Sequence, residues 1–143
     1  MSKNPILSGL LIASLAFGAG ATLAYAGAGQ DAILAQFAEG AKAADAAFAG
    51  FDAKRGKAFF LSVQPGGKPE TPSCTTCHTK DPKKAGQTRV GKTIAAMAVS
   101  VTADRYTDSE KVAKWFLRNC TNVVGRECTA LEKGDFVTYM TGE

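Results

Sequence analysis

A small all-α domain is the fold class this 143-residue chain predicts, on three observations. Thr107-x-x-Glu110 and Thr129-x-x-Glu132 both have the form of helix capping boxes, each followed by an apolar stripe at helical spacing. No segment shows sustained strand alternation. The pentapeptide Cys74-Thr75-Thr76-Cys77-His78 offers an attachment point for a prosthetic group, which a domain this rich in loops needs to complete its core.

Residues 1–26 read as an export signal. Lys3 gives the positive start, Ile6 to Phe17 form an apolar run broken only by Ser8, Gly9 and Ser14, and Ala24-Tyr25-Ala26 offers small residues where a signal peptidase inspects the chain. The competing reading is an uncleaved anchor, because no charged residue lies between Lys3 and Asp31 and that length can span a bilayer. Cleavage after Ala26 leaves an N-terminal helical segment, 27–50, ahead of the main domain, 51–143.

Within the first segment, residues from about Asp31 to Phe48 place Ile33, Leu34, Phe37, Ala41 and Phe48 roughly along one helical face. Asp52 can cap a second, short helix running through Phe59 and Phe60. Gln64 to Ser73 holds three prolines and two glycines and reads as loop. A second loop follows from about Lys80 to Lys92. The helix after Thr107 aligns Val112, Trp115, Phe116 and Asn119 at i, i+3, i+4 and i+7, and the helix after Thr129 carries Leu131, Phe136, Tyr139 and Met140.

Cys-x-x-Cys-His is the attachment signal for a c-type haem. Cys74 and Cys77 can form thioethers to the haem vinyl groups, and His78, the only histidine in the chain, is then placed to bind the iron from the proximal side. A zinc site would need four ligands, and Cys120 and Cys128 are not spaced as a second close pair. A thioredoxin-like pair would need alternating strands and helices, which are missing. One of the carbonyls of the 80–92 loop is a plausible acceptor for the far ring N–H of His78.

With Cys74 and Cys77 committed to haem c, Cys120 and Cys128 form a natural pair in an oxidising, extracytoplasmic space such as the periplasm. A bridge over so short a loop contributes about 2.5–3 kcal/mol on the chain-entropy model. Formal charge is +4, which loss of Lys3 and addition of two propionates largely cancel, so this is no nucleic-acid-binding protein. The excess is local: Lys80, Lys83, Lys84, Arg89 and Lys92 follow the haem motif with only Asp81 opposing them. They read as a solvated loop or as a docking patch for an acidic redox partner.

Asn119 continues the apolar face of its helix, so it points toward core or haem. A buried amide needs partners, although an Asn bonding to backbone near a helix C-terminus is ordinary. Met97 and Met140 are alternative distal ligands; a His/Met pair gives low-spin iron suited to simple electron transfer, whereas Met in an apolar run commonly fills core.

The stretches Thr71-Pro72-Ser73-Cys74-Thr75-Thr76-Cys77-His78, Ala85-Gly86-Gln87-Thr88-Arg89, Asp104-Arg105-Tyr106-Thr107-Asp108, Arg118-Asn119-Cys120 and Gly125-Arg126-Glu127-Cys128-Thr129 closely resemble the SHP (sphaeroides haem protein) family. The resemblance covers roughly Asp52 to Thr141. It implies a monohaem cytochrome c domain of class I-like fold over 51–143, with iron held by His78 and by the Asn119 side chain, and with Cys120 and Cys128 bridged beside that Asn. It further implies a displaceable Asn119 whose departure lets ferrous haem bind oxygen, nitric oxide or another diatomic gas. Electrons would come from a dihaem cytochrome c or a membrane cytochrome b. The chain shows no acid–base constellation that makes it an enzyme, so haem-based oxygen or nitric oxide chemistry would rest on iron itself. Arg118 and Arg126 are candidate partners for a propionate or a bound anion.

Overall fold

A computed structural model describes residues 27–143. The export signal of 1–26, and the anchor reading that competes with it, lie outside the described residues. Among the described residues, no helix is long and apolar enough to cross a membrane.

The order of elements is α1 (Ala28–Ala44), α2 (Ala53–Leu61), α3 (Thr75–His78), β1 (Gly86–Gln87), β2 (Thr93–Ile94), α4 (Ser109–Val123) and α5 (Ala130–Gly142). Four substantial helices thus carry the structure. The fold is helical, in keeping with the capping and periodicity of the chain.

Helix α1 lies three to four residues earlier than the apolar pattern predicts. It stops because Asp45 takes extended backbone and its carboxylate accepts from the Ala47 N–H at 2.8 Å. Phe48, expected on the helix face, instead packs beside Phe51 with ring centroids 5.0 Å apart. Ile33 and Ala41 are buried, and Phe37 meets Phe116 of α4 edge to face at 5.8 Å.

Helix α2 is capped as expected: the Asp52 carboxylate accepts from the Lys54 and Arg55 N–H groups at 2.7 and 2.9 Å. Gly56 brings α2 hard against α5, where a Cβ would collide with the Asp135 carbonyl. The same junction holds an ion pair between buried Asp135 and half-exposed Arg55. Asp135 accepts from Arg55 Nε at 2.7 Å and Nη2 at 2.9 Å, and its Oδ1 also takes the Asp52 N–H at 2.7 Å.

The second capping box forms in full, with Thr129 and Glu132 bonded reciprocally at the start of α5. The first does not. Asp108, not Thr107, caps α4 by accepting from the Lys111 N–H at 2.9 Å, while the Thr107 hydroxyl turns back to the Asp104 carbonyl. A carboxylate one residue later is the better acceptor for orphan helix N–H groups. A minimal antiparallel hairpin begins within the 80–92 loop and ends just past it, with Gly86 opposite Ile94 and Gln87 opposite Thr93. Two-residue strands carry too little alternation to be seen in sequence.

The main core joins Ile33, Phe60, Met97, Tyr106, Val112 and the buried face of α5. Within α5, Phe136, Val137, Tyr139 and Met140 are buried, whereas Leu131 is 38% exposed and leaves the expected stripe. A second cluster gathers Val123 and Val124 around Cys120 and Cys128, which are disulfide-bonded. Phe59, Phe116 and Cys74 pack against both clusters, so the attachment motif sits at their seam.

Candidate haem site

A cavity of about 760 Å³ opens at that seam. Its size suits a large planar cofactor, and its lining is predominantly apolar. Cys74, Cys77 and His78 form one wall; Val112, Trp115, Phe116, Arg118 and Asn119 of α4 form another; and Met97, Arg105 and Tyr106 complete it. Three segments that are remote in sequence therefore converge on one space.

Helix α3 is a single turn built by the attachment motif itself, with the His78 N–H bonded to the Cys74 carbonyl at 3.1 Å. This turn puts both thiols and the imidazole on the cavity wall. Gly86 of β1 supports it from behind, where a Cβ would strike the Cys77 carbonyl. Thr79 leaves the turn at φ 61°, and Tyr106 enters α4's approach at φ 59°. Such left-handed backbone at non-glycine residues costs of order 1–3 kcal/mol and clusters at functional sites.

Burial in this apolar seam pushes the Cys74 thiol up to about 11. Burial also pushes the His78 imidazole down to about 4, with the nearby Arg105 charge as the lesser cause. His78 is thus the neutral imidazole that an iron ligand must be. Its Nδ1 is buried with no hydrogen-bond partner. The expected acceptor in the 80–92 loop is not engaged: the Pro82 carbonyl takes the Met97 and Ala98 N–H groups at 2.8 and 2.9 Å. A neutral imidazole beside two thiols on one wall of an apolar cavity fits a haem of the c type.

Asn119 is exposed rather than buried as its place on the helix stripe predicts, but it lines the cavity and is followed directly by the disulfide-bonded Cys120. Trp115, 45% exposed, and half-buried Phe116 stand on the same helix wall, and the Arg118 guanidinium lies 5.5 Å from the Trp115 ring centroid. Met97 also lines the cavity. Met140 does not; it is wholly buried in the main core. Arg126 is likewise elsewhere, held by Glu132 through two bonds of 2.8 and 2.7 Å. Cys120 and Cys128 are bonded to each other, and among the described residues no three His, Cys, Asp or Glu side chains gather as a metal site. With that bridge made, Cys120 and Cys128 are not available as zinc ligands.

Sequence patterns did not single out Arg105 or Tyr106 as site residues. Tyr106 is buried, and burial holds its phenol above the usual range. Their signal is three-dimensional, because the 95–107 stretch has no helical or strand period to show which way it faces.

Comparison with known proteins agrees with this geometry. Residues 46–140 match the family model described as Domain of unknown function (DUF1924). The chain is 57% identical over 98 residues to the cytochrome c-type protein SHP of Cereibacter sphaeroides, covering 68% of this chain and 76% of that protein. It is 36% identical over 91 residues to cytochrome c'' of Methylophilus methylotrophus, covering 62% of each. The structure of oxidised SHP, described as an oxygen binding cytochrome c, superposes with a TM-score of 0.74 at 49% identity, covering 80% of this chain and 96% of that one. Oxidised cytochrome c'' superposes at 0.66 and 28% identity, covering 78% and 92%. With its attachment motif, its cavity and these relatives, the chain belongs to the SHP family, as a monohaem c-type cytochrome of helical fold that carries covalent haem c.

Proposed function

We propose that this protein is an exported redox cytochrome whose distal ligand, Asn119, is displaceable, so that the ferrous form binds small diatomic molecules such as oxygen or nitric oxide. The observation that carries the reading is the placement of Asn119 on the wall of the cavity that also holds Cys74, Cys77 and His78. Haem c, when bound, supplies the iron that takes up the electron and the diatomic ligand. Cys74 and Cys77 would tether it and His78 would hold it from the proximal side.

A neutral amide oxygen is a weak, hard donor, better matched to a ferric than to a ferrous centre. Reduction therefore favours withdrawal of the Asn119 side chain. The neighbouring Cys120–Cys128 bridge supports this motion by keeping the end of α4 in place while the amide swings. Trp115 and Phe116 offer apolar walls that limit water on the opened side. The oxygen-binding description of SHP favours the same assignment.

Electrons would reach the protein from a dihaem cytochrome c or a membrane cytochrome b. A second, open depression of about 590 Å³ runs between the attachment turn and the hairpin, touching Thr76, Cys77, Gln87 and Arg89. Arg89 of the 80–92 loop lines this depression and would help steer an acidic donor toward it.

The decisive experiment is the ferrous absorption spectrum with and without carbon monoxide. Open-site ferrous iron that binds carbon monoxide rapidly supports the proposal, and Asn119→Ala should alter the ferric spectrum. A low-spin ferrous spectrum indifferent to carbon monoxide would establish the alternative, a simple His/Met electron-transfer cytochrome with Met97 as ligand. Catalysis is a separate matter: turnover of oxygen or nitric oxide with a reductant would show it, and uptake ending after one equivalent would exclude it.

A further inference from the structure

The end of α4 is held from outside its own helix. The Cys120 carbonyl is still served locally, accepting from the Val124 and Gly125 N–H groups at 2.7 and 3.1 Å. The carbonyls after it have no donor left within the helix. That of Asn122 instead accepts from the Lys68 N–H at 2.7 Å and from the Thr71 hydroxyl at 3.2 Å. The two backbones meet closely here. A Cβ on Gly67 would strike the Val123 carbonyl, and one on Gly125, at φ 80°, would strike the Gly66 carbonyl.

The donors belong to the 64–73 loop, which is stiff in its own right. Pro65, Pro69 and Pro72 restrict its backbone. The Gln64 N–H bonds the Pro72 carbonyl at 2.7 Å across its neck, and the Thr71 N–H bonds the Lys68 carbonyl at 2.9 Å. Its last residue, Ser73, is buried and leads straight into Cys74. One short strap therefore joins the attachment turn to the end of α4. Asn119 stands about one helical turn ahead of the carbonyl on which that strap closes.

We propose that the 64–73 strap positions the distal amide, with Thr71 as the side chain that closes it. This role rests on the reading of Asn119 as a displaceable ligand. Asn119 is exposed, so its approach to the haem depends on where the helix end is held rather than on packing of its own. The form with the amide engaged needs that end fixed, and the form with the amide withdrawn does not. A bond that serves only one of two forms shifts the balance between them. Thr71 lines the same cavity as Asn119, so the clamp closes at the rim of the site it controls.

The test is titration of haem-loaded Thr71→Val with azide in the ferric form and with carbon monoxide in the ferrous form, beside Thr71→Ser, Thr121→Val and Asn119→Ala. Azide competes with Asn119, so its affinity for Thr71→Val should rise about two- to tenfold, the span of one net hydrogen bond. Carbon monoxide affinity should stay as it is, because the amide has already withdrawn. Thr71→Ser keeps the hydroxyl and should match the unmodified protein. Thr121→Val removes a 2.7 Å hydroxyl bond to the Leu117 carbonyl inside α4 and should change neither affinity. An unchanged azide affinity in Thr71→Val overturns the proposal, as does an equal rise in Thr121→Val or a parallel rise for carbon monoxide. An inert Asn119→Ala overturns the ligand assignment and the role of the strap with it. A responsive Asn119→Ala beside an inert Thr71→Val overturns the strap alone. Should Thr71→Val retain no haem, Thr71→Ala carries the same expectations and the same refutations.

Discussion

The Tyr106 hydroxyl donates a buried 3.2 Å hydrogen bond to the carbonyl of Met97. Met97 is bonded from its own N–H as well, to the Pro82 carbonyl at 2.8 Å. Its backbone is thus clamped on both sides, and its side chain, 7% exposed, belongs to the main core as much as to the cavity wall.

Removing that hydroxyl in Tyr106→Phe should lower stability by about 1–1.5 kcal/mol. Denaturant titration should show a lower midpoint with an unchanged slope. Met97→Leu and Met140→Leu, which keep the packed volume nearly constant, should leave the ferric spectrum as it is. A spectral change in Met97→Leu would place sulfur on the iron.

Arg55→Ala strands the carboxylate of Asp135, which is 4% exposed at the α2–α5 junction. The loss should be clear but smaller than for a fully buried pair, because the arginine side chain is half in solvent and Asp135 keeps the Asp52 N–H. Asp52→Ala removes the α2 cap bonds but leaves the Arg55–Asp135 pair, so it should cost less. Thermal unfolding of the two variants distinguishes them.

Gly86→Ala should act on haem loading before it acts on stability. The added methyl meets the Cys77 carbonyl and the backbone of His78, so it can be accommodated only by moving the attachment turn. Overpacking of this kind costs about 1–3 kcal/mol. The measurement is haem per polypeptide in purified protein, expected to fall below that of a Gly142→Ala control at an exposed position.

Acid should loosen the start of α5. The Arg126 guanidinium bonded to Glu132 holds its carboxyl below the usual range, and Lys133 does the same for Glu127. Folded values that lie below the unfolded ones give stability present above about pH 4.3 and lost as pH falls through the folded values. Glu132→Gln should flatten the acid limb of a stability–pH curve. An acid limb identical to the unmodified protein would show that other carboxylates dominate it.

Reduction of the Cys120–Cys128 bridge, or Cys120→Ser with Cys128→Ser, should remove about 2.5–3 kcal/mol. If the bridge anchors Asn119 as proposed, the ferric spectrum should change with it. Loss of stability without a spectral change would separate the bridge from ligation.

Much of this site was legible in sequence because it is local. Cys74, Cys77 and His78 declare themselves by spacing, and Asp52 and Thr129 by side chains that cap the next turn. Thr107 misled because Asp108, one residue on, offers a stronger acceptor, and spacing cannot rank two neighbouring caps. The early start of α1 was hidden because its Ala- and Gly-rich opening carries no period. Arg105 and Tyr106 were hidden because their partners, Gln30, the 95–96 carbonyls and Met97, are set by the fold of an aperiodic stretch.

Cys74 packs against the Cys120–Cys128 cluster, so before maturation one of the two free thiols lies beside a cystine. Four cysteines allow three pairings, and exchange begins with a thiolate. Burial keeps Cys74 protonated up to about pH 11, which makes it a slow attacker of its neighbour at neutral pH. The oxidised pair can therefore form first without attack by the adjacent Cys74, and thioether formation then retires both free thiols for good.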